Sequence, residues 1–158
     1  MAESWRSKLL RWKFNFFPAY RGTGARVTYI APDWREVRIR LPLSRRTRNL
    51  VGTIYGGSLY AAVDPFYMVM LVQLLGPDYV VWDKAASIRF KRPGQTTLYA
   101  RFVVDEQELR ALKAALQEGP SLDRTYQVDL TDAAGVVHAS VEKIIYIARR
   151  HHYQKKNS

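Results

Sequence analysis

The chain has 158 residues, of which 47% are apolar and 13% aromatic, so it is long enough to form one globular domain with a sizeable core. It contains no cysteine, which excludes disulfides, thiol nucleophiles and thiolate metal sites. A net charge of +11 favours an anionic partner, such as nucleic acid, acidic lipid or a phosphorylated small molecule, although a solvated basic surface explains the excess equally well.

The N-terminal segment, residues 1–20, is predicted to form an amphipathic helix over residues 4–17. Its large apolar side chains share one side: Trp5, Leu9, Trp12 and Phe16. Packing of this aromatic face on the rest of the domain is the simpler interpretation, and contact with a membrane surface is the alternative. The segment lacks the features of a secretory signal, so we expect a cytoplasmic protein.

Residues 21–148 are predicted to form a single α+β domain. Strands are expected at 26–31, 35–41, 79–90, 95–104, 124–131 and 136–148, a long apolar helix at 56–75, and a capped amphipathic helix at 105–118. Short connections favour antiparallel pairing, so we predict one curved antiparallel sheet wrapped around the 56–75 helix, with an extra helix between late strands. The basic tail, residues 149–158, is expected to fray.

The segment from Asn49 to Asp64 contains the candidate functional residues. Asp64 lies in apolar surroundings, which suits a nucleophile or general base, but the Asp64-Pro65 pair also suits a helix N-cap. Pro65 is expected to kink the helix. The Gly56-Gly57 pair at the helix start would let a ligand approach free N–H groups, or would only relieve steric crowding. Taken by itself, Asn49 is typical of a residue in a turn.

Together these residues resemble the central-helix signature of hotdog-fold acyl-CoA thioesterases of the phenylacetyl-CoA type. In that pattern an asparagine precedes a His-Gly-Gly by six residues and an aspartate follows the histidine by nine, and both spacings are kept between Asn49, Tyr55 and Asp64. The stretch from Ser87 to Gly94 is similar to that family's strand ending in Arg-Pro. The resemblance covers roughly residues 20–148. The extra helix at 105–118 is more similar to a branch of this family that has no assigned function.

The resemblance implies a hotdog fold, subunits paired as homodimers or homotetramers, and active sites between subunits. The substrate would be an acyl-CoA, with coenzyme A as part of the substrate and no separate cofactor. Asp64 would attack the thioester or activate water, the Gly57 N–H would polarise the thioester oxygen, and Asn49 would hold substrate or water. Asp83 falls where the family often has a serine or threonine from the facing subunit.

Two departures from the family's pattern leave open the alternative that the chain is a non-catalytic acyl-CoA or lipid-binding module. Tyr55 replaces the family's histidine, and a tyrosine hydroxyl can donate a hydrogen bond but does not act as a base at neutral pH. Asp83 replaces a hydroxyl with a carboxylate, so two acids would share one site and raise the pKa of one of them.

The basic residues near this segment have two interpretations each. Lys84 shares strand parity with apolar neighbours, so we expect a salt bridge to Asp64 or another buried acid, or else a direct ligand contact. Arg48, Lys91 and Arg92, together with Arg45 and Arg46, would bind the phosphates of coenzyme A or form a solvated surface. No residue spacing predicts a metal site, and without a recognition motif nucleic acid is not expected.

Overall fold

One antiparallel sheet of six strands forms the framework of the computed structural model, which describes residues 2–157. The strands are β1 (Arg26–Ile30), β2 (Glu36–Leu41), β3 (Tyr79–Phe90), β4 (Leu98–Val103), β5 (Ser121–Thr131) and β6 (Val137–Arg149). Their order across the sheet is β1-β2-β4-β5-β6-β3, and every neighbouring pair is antiparallel. The predicted α+β class and antiparallel pairing are therefore confirmed.

Six helices accompany the sheet within the described range: α1 (Trp5–Phe16), α2 (Pro18–Gly22), α3 (Gly56–Val63), α4 (Phe66–Leu75), α5 (Glu106–Glu118) and α6 (Arg150–Asn157). The predicted cap of α5 is present, because the Asp105 carboxylate accepts a hydrogen bond from the Glu108 N–H at 2.8 Å. The C-terminal tail was expected to fray, but its described part continues from β6 into α6.

The α3–α4 segment forms the core beneath the sheet. Side chains from it, including Val63, Phe66 and Met70, are almost completely buried against inward-facing strand residues such as Phe102 and Val141. By length and composition alone the segment Gly56–Leu75 qualifies as a membrane span. Core packing buries 44% of its most apolar 18-residue window, and Val72 remains exposed, so the helix is covered on one side only within the chain.

The predicted kink lies between α3 and α4. Asp64 and Pro65 keep right-handed helical dihedral angles (φ −50°, ψ −51° and φ −80°, ψ −17°), so the chain bends without leaving the helical region. Pro65 has no N–H to donate to the preceding turn. The alternative that Asp64 is an N-cap is wrong, because its side chain makes no capping bond to α4 and instead bonds Tyr60 and Lys143.

Helix α1 packs on the domain through the face opposite to the predicted one. Leu10 and Phe14 lie against the core, whereas the aromatic face points to solvent. The Asn15 side chain accepts from the Val27 N–H at 2.8 Å and donates to the Val27 carbonyl at 3.0 Å. The Glu3 carboxylate accepts from the Ile30 N–H at 3.2 Å. The N-terminal segment thereby covers the outer edge of β1.

Candidate functional site

Asp64 lies at the break between α3 and α4, with two side-chain donors on one carboxylate oxygen. Its Oδ1 accepts from the Tyr60 hydroxyl at 2.7 Å and from Lys143 Nζ at 2.8 Å, and Lys143 also donates to the Asp64 carbonyl. The Asp64 side chain is nevertheless 44% exposed. The carboxylate is thus held in a fixed orientation while remaining accessible to a ligand.

Lys143 is a residue of the candidate site that was not predicted from the sequence. Its side chain is completely buried on β6, and its Nζ lies 2.9 Å from Asp83 Oδ2 as well as 2.8 Å from Asp64 Oδ1. The sequence did indicate its position. Alternate residues of a strand face the same side of the sheet, and Lys143 alternates with Val141 and Ile145, which are both fully buried. A lysine at such a position requires a carboxylate partner. We call Tyr60, Asp64, Asp83 and Lys143 the carboxylate cluster.

A β-bulge at Lys84 explains why the parity argument for that residue is wrong. Asp83 pairs with Ile145 and Ala85 pairs with Ile144, so one residue of β3 is inserted between them. The insertion moves Lys84 to the outer face of the sheet, where its Nζ pairs with Asp123. The same insertion turns Asp83 to the inner face, because a slip of one residue exchanges the two faces of a strand.

Asp83 and Asp64 share Lys143 within a single chain, whereas the resemblance placed residue 83 on the facing subunit. Partial burial raises the pKa of Asp83 above its ordinary value, the hydrogen bond and charge of Lys143 oppose this shift, and the Asp64 charge adds to it. Burial, followed by the hydrogen bond to Asp64, also raises the pKa of Tyr60. Tyr60 therefore stays protonated near neutral pH and acts as a hydrogen-bond donor to Asp64.

The start of α3 is closely packed. A Cβ on Gly57 would lie 2.4 Å from Cε1 of Tyr55, and a Cβ on Gly56 would lie 3.1 Å from Cζ of Phe90. Both glycines therefore relieve steric crowding, which was one of the two interpretations. The Gly57 N–H still falls in the first helical turn, where a helix supplies no acceptor. Tyr55 is an exposed side chain whose ring lies over this turn, on the side where a Gly57 side chain would project.

Asn49 shapes the loop that leads into α3. Its Oδ1 accepts from the N–H groups of Val51 at 3.1 Å and Thr53 at 3.0 Å, and its Nδ2 donates to the Thr53 hydroxyl at 2.9 Å. These bonds are those of a turn residue. The resemblance assigned the Asn49 amide to substrate or water, but its oxygen and its nitrogen are both already hydrogen-bonded within the loop.

A surface cleft of about 360 Å³ lies beside the start of α3. Several of the residues that the sequence singled out line it, together with apolar neighbours: Asn49, Thr53, Ile54, Gly56, Leu59, Phe90, Lys91, Arg92, Pro93 and Gly94. We call this the helix-start cleft. Arg48 is exposed on the preceding loop and is not among these lining residues. Within residues 2–157 there is no group of three side chains suited to a metal ion.

Six of the predicted site residues fall into two groups, whereas Lys84 and Arg48 belong to neither. Asn49, Gly56, Lys91 and Arg92 meet at the helix-start cleft, and Asp64 and Asp83 meet in the carboxylate cluster. Asp64 follows Gly57 by seven positions, and at a rise of 1.5 Å per residue this corresponds to roughly 10 Å along the helix. Within one chain, the Gly57 N–H and the Asp64 carboxylate are too far apart to contact the same carbonyl group.

Three solved structures illustrate what the chain is similar to. One is a protein of unknown function from Pseudomonas aeruginosa, described as a probable thioesterase (21% identity, TM-score 0.78, 90% of this chain and 95% of that chain covered). Another is a thioesterase from Haemophilus influenzae (12% identity, TM-score 0.67, 93% of each chain). A third is a mutant of the phenylacetic acid degradation protein of Thermus thermophilus (20% identity, TM-score 0.57, 82% and 97%).

At these identities the likeness shows the fold, and it confirms the predicted hotdog architecture of a curved sheet around a central helix. No curated protein matches the chain. A family model for a domain of unknown function, DUF4442, matches residues 6–147 and so includes nearly all of α1. The chain therefore belongs to the DUF4442 family, within the hotdog fold.

Proposed function

We propose that the protein hydrolyses acyl-CoA thioesters to the free acid and coenzyme A. The observation that carries this proposal is the Asp64 carboxylate, accessible at the kink of the central helix and oriented by Lys143 and Tyr60. An oriented carboxylate with a balancing cation suits either a general base or a nucleophile. The thioesterases among the similar folds are consistent with this assignment.

In this mechanism Asp64 Oδ2 is the reacting oxygen, because Oδ1 receives both donors. As a base, Asp64 would take a proton from water while the hydroxide attacks the thioester carbon. The carbon–sulfur bond then breaks, and the proton passes to the departing thiolate. As a nucleophile, Asp64 would form an acyl anhydride as the carbon–sulfur bond breaks and the thiolate leaves. Water would then hydrolyse the anhydride, which regenerates Asp64 and releases a proton for the thiolate.

The oxygen of the attacked carbonyl would be stabilised by the Gly57 N–H of a second copy of the chain. The free N–H groups and the dipole at a helix start favour a developing negative charge. Since Gly57 and Asp64 of one chain are roughly 10 Å apart along the helix, they can act on one thioester only from different subunits. The proposal therefore includes a homodimer with sites shared between its subunits.

Strand β3 is the surface we assign to this pairing. It is 12 residues long and lies at the end of the sheet opposite to β1. Whereas the edge of β1 is covered by Asn15 and Glu3, the described structure gives β3 no comparable cover along residues 80–90. Long uncovered edge strands pair readily with another chain, so two β3 strands would continue the sheet across the dimer.

The phosphates of coenzyme A would bind near Lys91 and Arg92, which line the helix-start cleft. Arg48 and its neighbours Arg45 and Arg46 lie exposed on the loop before Asn49 and would add positive charge at the cleft entrance. Arginine forms bidentate hydrogen bonds with phosphate oxygens, which favours this role for the loop.

The test is thiol release from a panel of acyl-CoAs of short, long and aromatic acyl groups. Asp64→Asn is expected to lower kcat about a hundredfold or more, because the base or nucleophile is lost. Asp123→Asn is the matched control, since Asp123 also pairs with a lysine but on the outer face. Full activity in Asp64→Asn would contradict the proposal.

A non-catalytic acyl-CoA-binding module is the second candidate function. Two observations favour it: the Tyr55 ring lies over the Gly57 turn, and the Asn49 side chain is engaged in its own loop. This candidate predicts saturable binding of acyl-CoA, measured by calorimetry, without release of thiol. Absence of binding heat at every acyl length would exclude it.

A further inference from the structure

Helix α1 has two apolar faces, and only one of them packs on the protein. Leu10 and Phe14 contact the core, with the Phe14 ring centroid 6.0 Å from that of Phe66. The opposite face points to solvent and consists of Trp5 (71% exposed), Leu9 (45%), Trp12 (57%) and Phe16 (53%). The outer apolar residues therefore contribute little to folding, and their presence requires another explanation.

The four exposed side chains form one narrow stripe. At about 100° per residue they fall within an arc of roughly 60° on the helix. The Trp12 and Phe16 ring centroids are 4.6 Å apart, so their surfaces are continuous, and Phe17 adds a further exposed ring beside the helix end. Contiguous exposed apolar surface of this kind marks an interaction site.

Positive charges border the stripe on both sides. On the same helical projection, Lys13 and Arg6 lie along one margin and Lys8 along the other. The Arg6 guanidinium lies 5.4 Å from the Trp5 ring centroid. The fourth cation, Arg11, lies away from the stripe and is paired with Glu3 at 2.9 Å. Helix α1 itself contains no acidic residue.

The stripe is held in a fixed orientation. Asn15 hydrogen-bonds both main-chain polar groups of Val27, and Glu3 joins Arg11 of the helix to the Ile30 N–H of β1. The helix cannot turn its aromatic face inward without breaking these bonds. The outer face is therefore a preformed surface and not a transiently exposed one.

We propose that α1 docks the protein on the surface of an anionic phospholipid bilayer. The rings of Trp5, Trp12 and Phe16 would insert among the headgroups, and Arg6, Lys8 and Lys13 would contact lipid phosphates. Tryptophan is favoured at the interface between water and hydrocarbon, and helices with an aromatic stripe bordered by cations lie in the plane of that interface. The inference goes beyond the proposed hydrolysis and does not depend on Asp64.

A second copy of the chain is a poorer occupant of this surface. Two α1 stripes placed face to face would bring like charges together along both margins, which opposes association. Strand β1, which α1 covers, also lies at the opposite end of the sheet from β3, the strand assigned to dimer pairing. An anionic lipid surface instead matches both the apolar stripe and its bordering charges.

Flotation with vesicles tests the proposal. The full chain is expected to float with vesicles of equal parts phosphatidylglycerol and phosphatidylcholine, and much less with phosphatidylcholine alone. The double variant Trp5→Ser/Trp12→Ser should lower the partition coefficient on the order of tenfold. The triple variant Arg6→Gln/Lys8→Gln/Lys13→Gln should lower it at least about tenfold and remove the preference for phosphatidylglycerol.

Tyr99→Ser is the matched control, because it removes an exposed aromatic ring from β4 and should leave flotation unchanged. Circular dichroism and thermal unfolding report whether each variant is folded, and the charge variant tests the same surface without altering the tryptophans. Failure of the wild type to float with anionic vesicles would overturn the proposal, as would unchanged flotation of both variants. Loss of self-association in the tryptophan variant, without vesicle binding by the wild type, would assign the stripe to a second copy instead.

Discussion

At the scale of single residues, the fully buried Lys143 joins two carboxylates that are far apart in sequence. Burial of an ammonium group is costly unless carboxylates and hydrogen bonds compensate for lost hydration. Asp64 and Asp83 provide that compensation, and Lys143 in return fixes the orientation of Asp64. The same contact therefore connects the stability of the fold with the geometry of the site.

Replacement of Lys143 by methionine should be destabilising. It leaves two neighbouring carboxylates without their shared cation, so the free energy of unfolding is expected to fall by about 3 kcal/mol, measured by urea denaturation. Lys84→Met is the control, because it removes the exposed pair with Asp123 and should change that free energy by less than about 1 kcal/mol. Equal effects of the two substitutions would contradict the assigned role of Lys143.

The raised pKa of Asp83 predicts a pH dependence of stability. An acid whose pKa is higher in the folded than in the unfolded chain binds more protons when folded, so its contribution to stability falls as pH rises from 3.8 through the folded pKa. Asp83→Asn removes this titration. The difference between the free energies of unfolding, Asp83→Asn minus wild type, should therefore increase with pH across this window. Curves of the two free energies against pH that run parallel would contradict the raised pKa of Asp83.

At the scale of elements, the two edges of the sheet differ. The N-terminal segment covers β1, through Asn15 of α1 and Glu3 before it, whereas the described structure shows no such contact along residues 80–90 of β3. The arrangement blocks the growth of the sheet at one end only. In the proposed dimer, this cover on β1 would limit edge-to-edge association to two chains.

Asn15→Ala should loosen α1 from β1. The substitution leaves the Val27 N–H and carbonyl without their side-chain partner, so the free energy of unfolding is expected to fall by about 1–2 kcal/mol. Hydrogen exchange of the Val27 amide should also become faster. The exposed helix position Gln117→Ala serves as control, with a change within about 0.5 kcal/mol. An exchange rate of the Val27 amide that is the same in Asn15→Ala and in the wild type would contradict the hydrogen bond between Asn15 and Val27.

Local sequence patterns predicted most elements because each pattern depends on nearby residues. The apolar run before and after Asp64 indicated the central helix, and Pro65 indicated its kink. The bulge at Lys84 had no such signal, since nothing in Asp83-Lys84-Ala85 distinguishes an inserted residue from regular alternation. One inserted residue was enough to reverse the predicted orientation of Lys84.

The site was predictable only in part for a related reason. Asp64 and Asp83 were found because family spacing and strand position single them out. Lys143 is 79 residues from Asp64 in the chain, so their contact depends on the folded sheet and not on local sequence. The outward aromatic face of α1 was likewise misjudged, because apolar periodicity does not tell which of two apolar faces meets the core.

At the scale of the whole molecule, the proposed dimer has a direct physical signature. Light scattering should give twice the chain mass of 18.3 kDa, or a higher even multiple if dimers associate further. The amides of residues 80–90 that point away from β6 should be protected from hydrogen exchange, since pairing of two β3 strands would give them partners. A chain that remains monomeric at all concentrations, with rapid exchange of these outward amides, would contradict the dimer.

Subunit complementation tests hydrolysis at a shared site most directly. Asp64→Asn and the double variant Tyr55→Ala/Gly57→Pro should each release little thiol alone, since proline removes the Gly57 N–H and alanine at residue 55 makes room for the proline ring. After subunit exchange in an equal mixture of the two variants, half of the dimers contain one chain of each variant. In each of these mixed dimers, one of the two sites contains both Asp64 and an intact Gly57. The mixture should therefore regain about a quarter of wild-type thiol release. No recovery, with an active wild type, would contradict the shared site, and an inactive wild type would contradict hydrolysis itself.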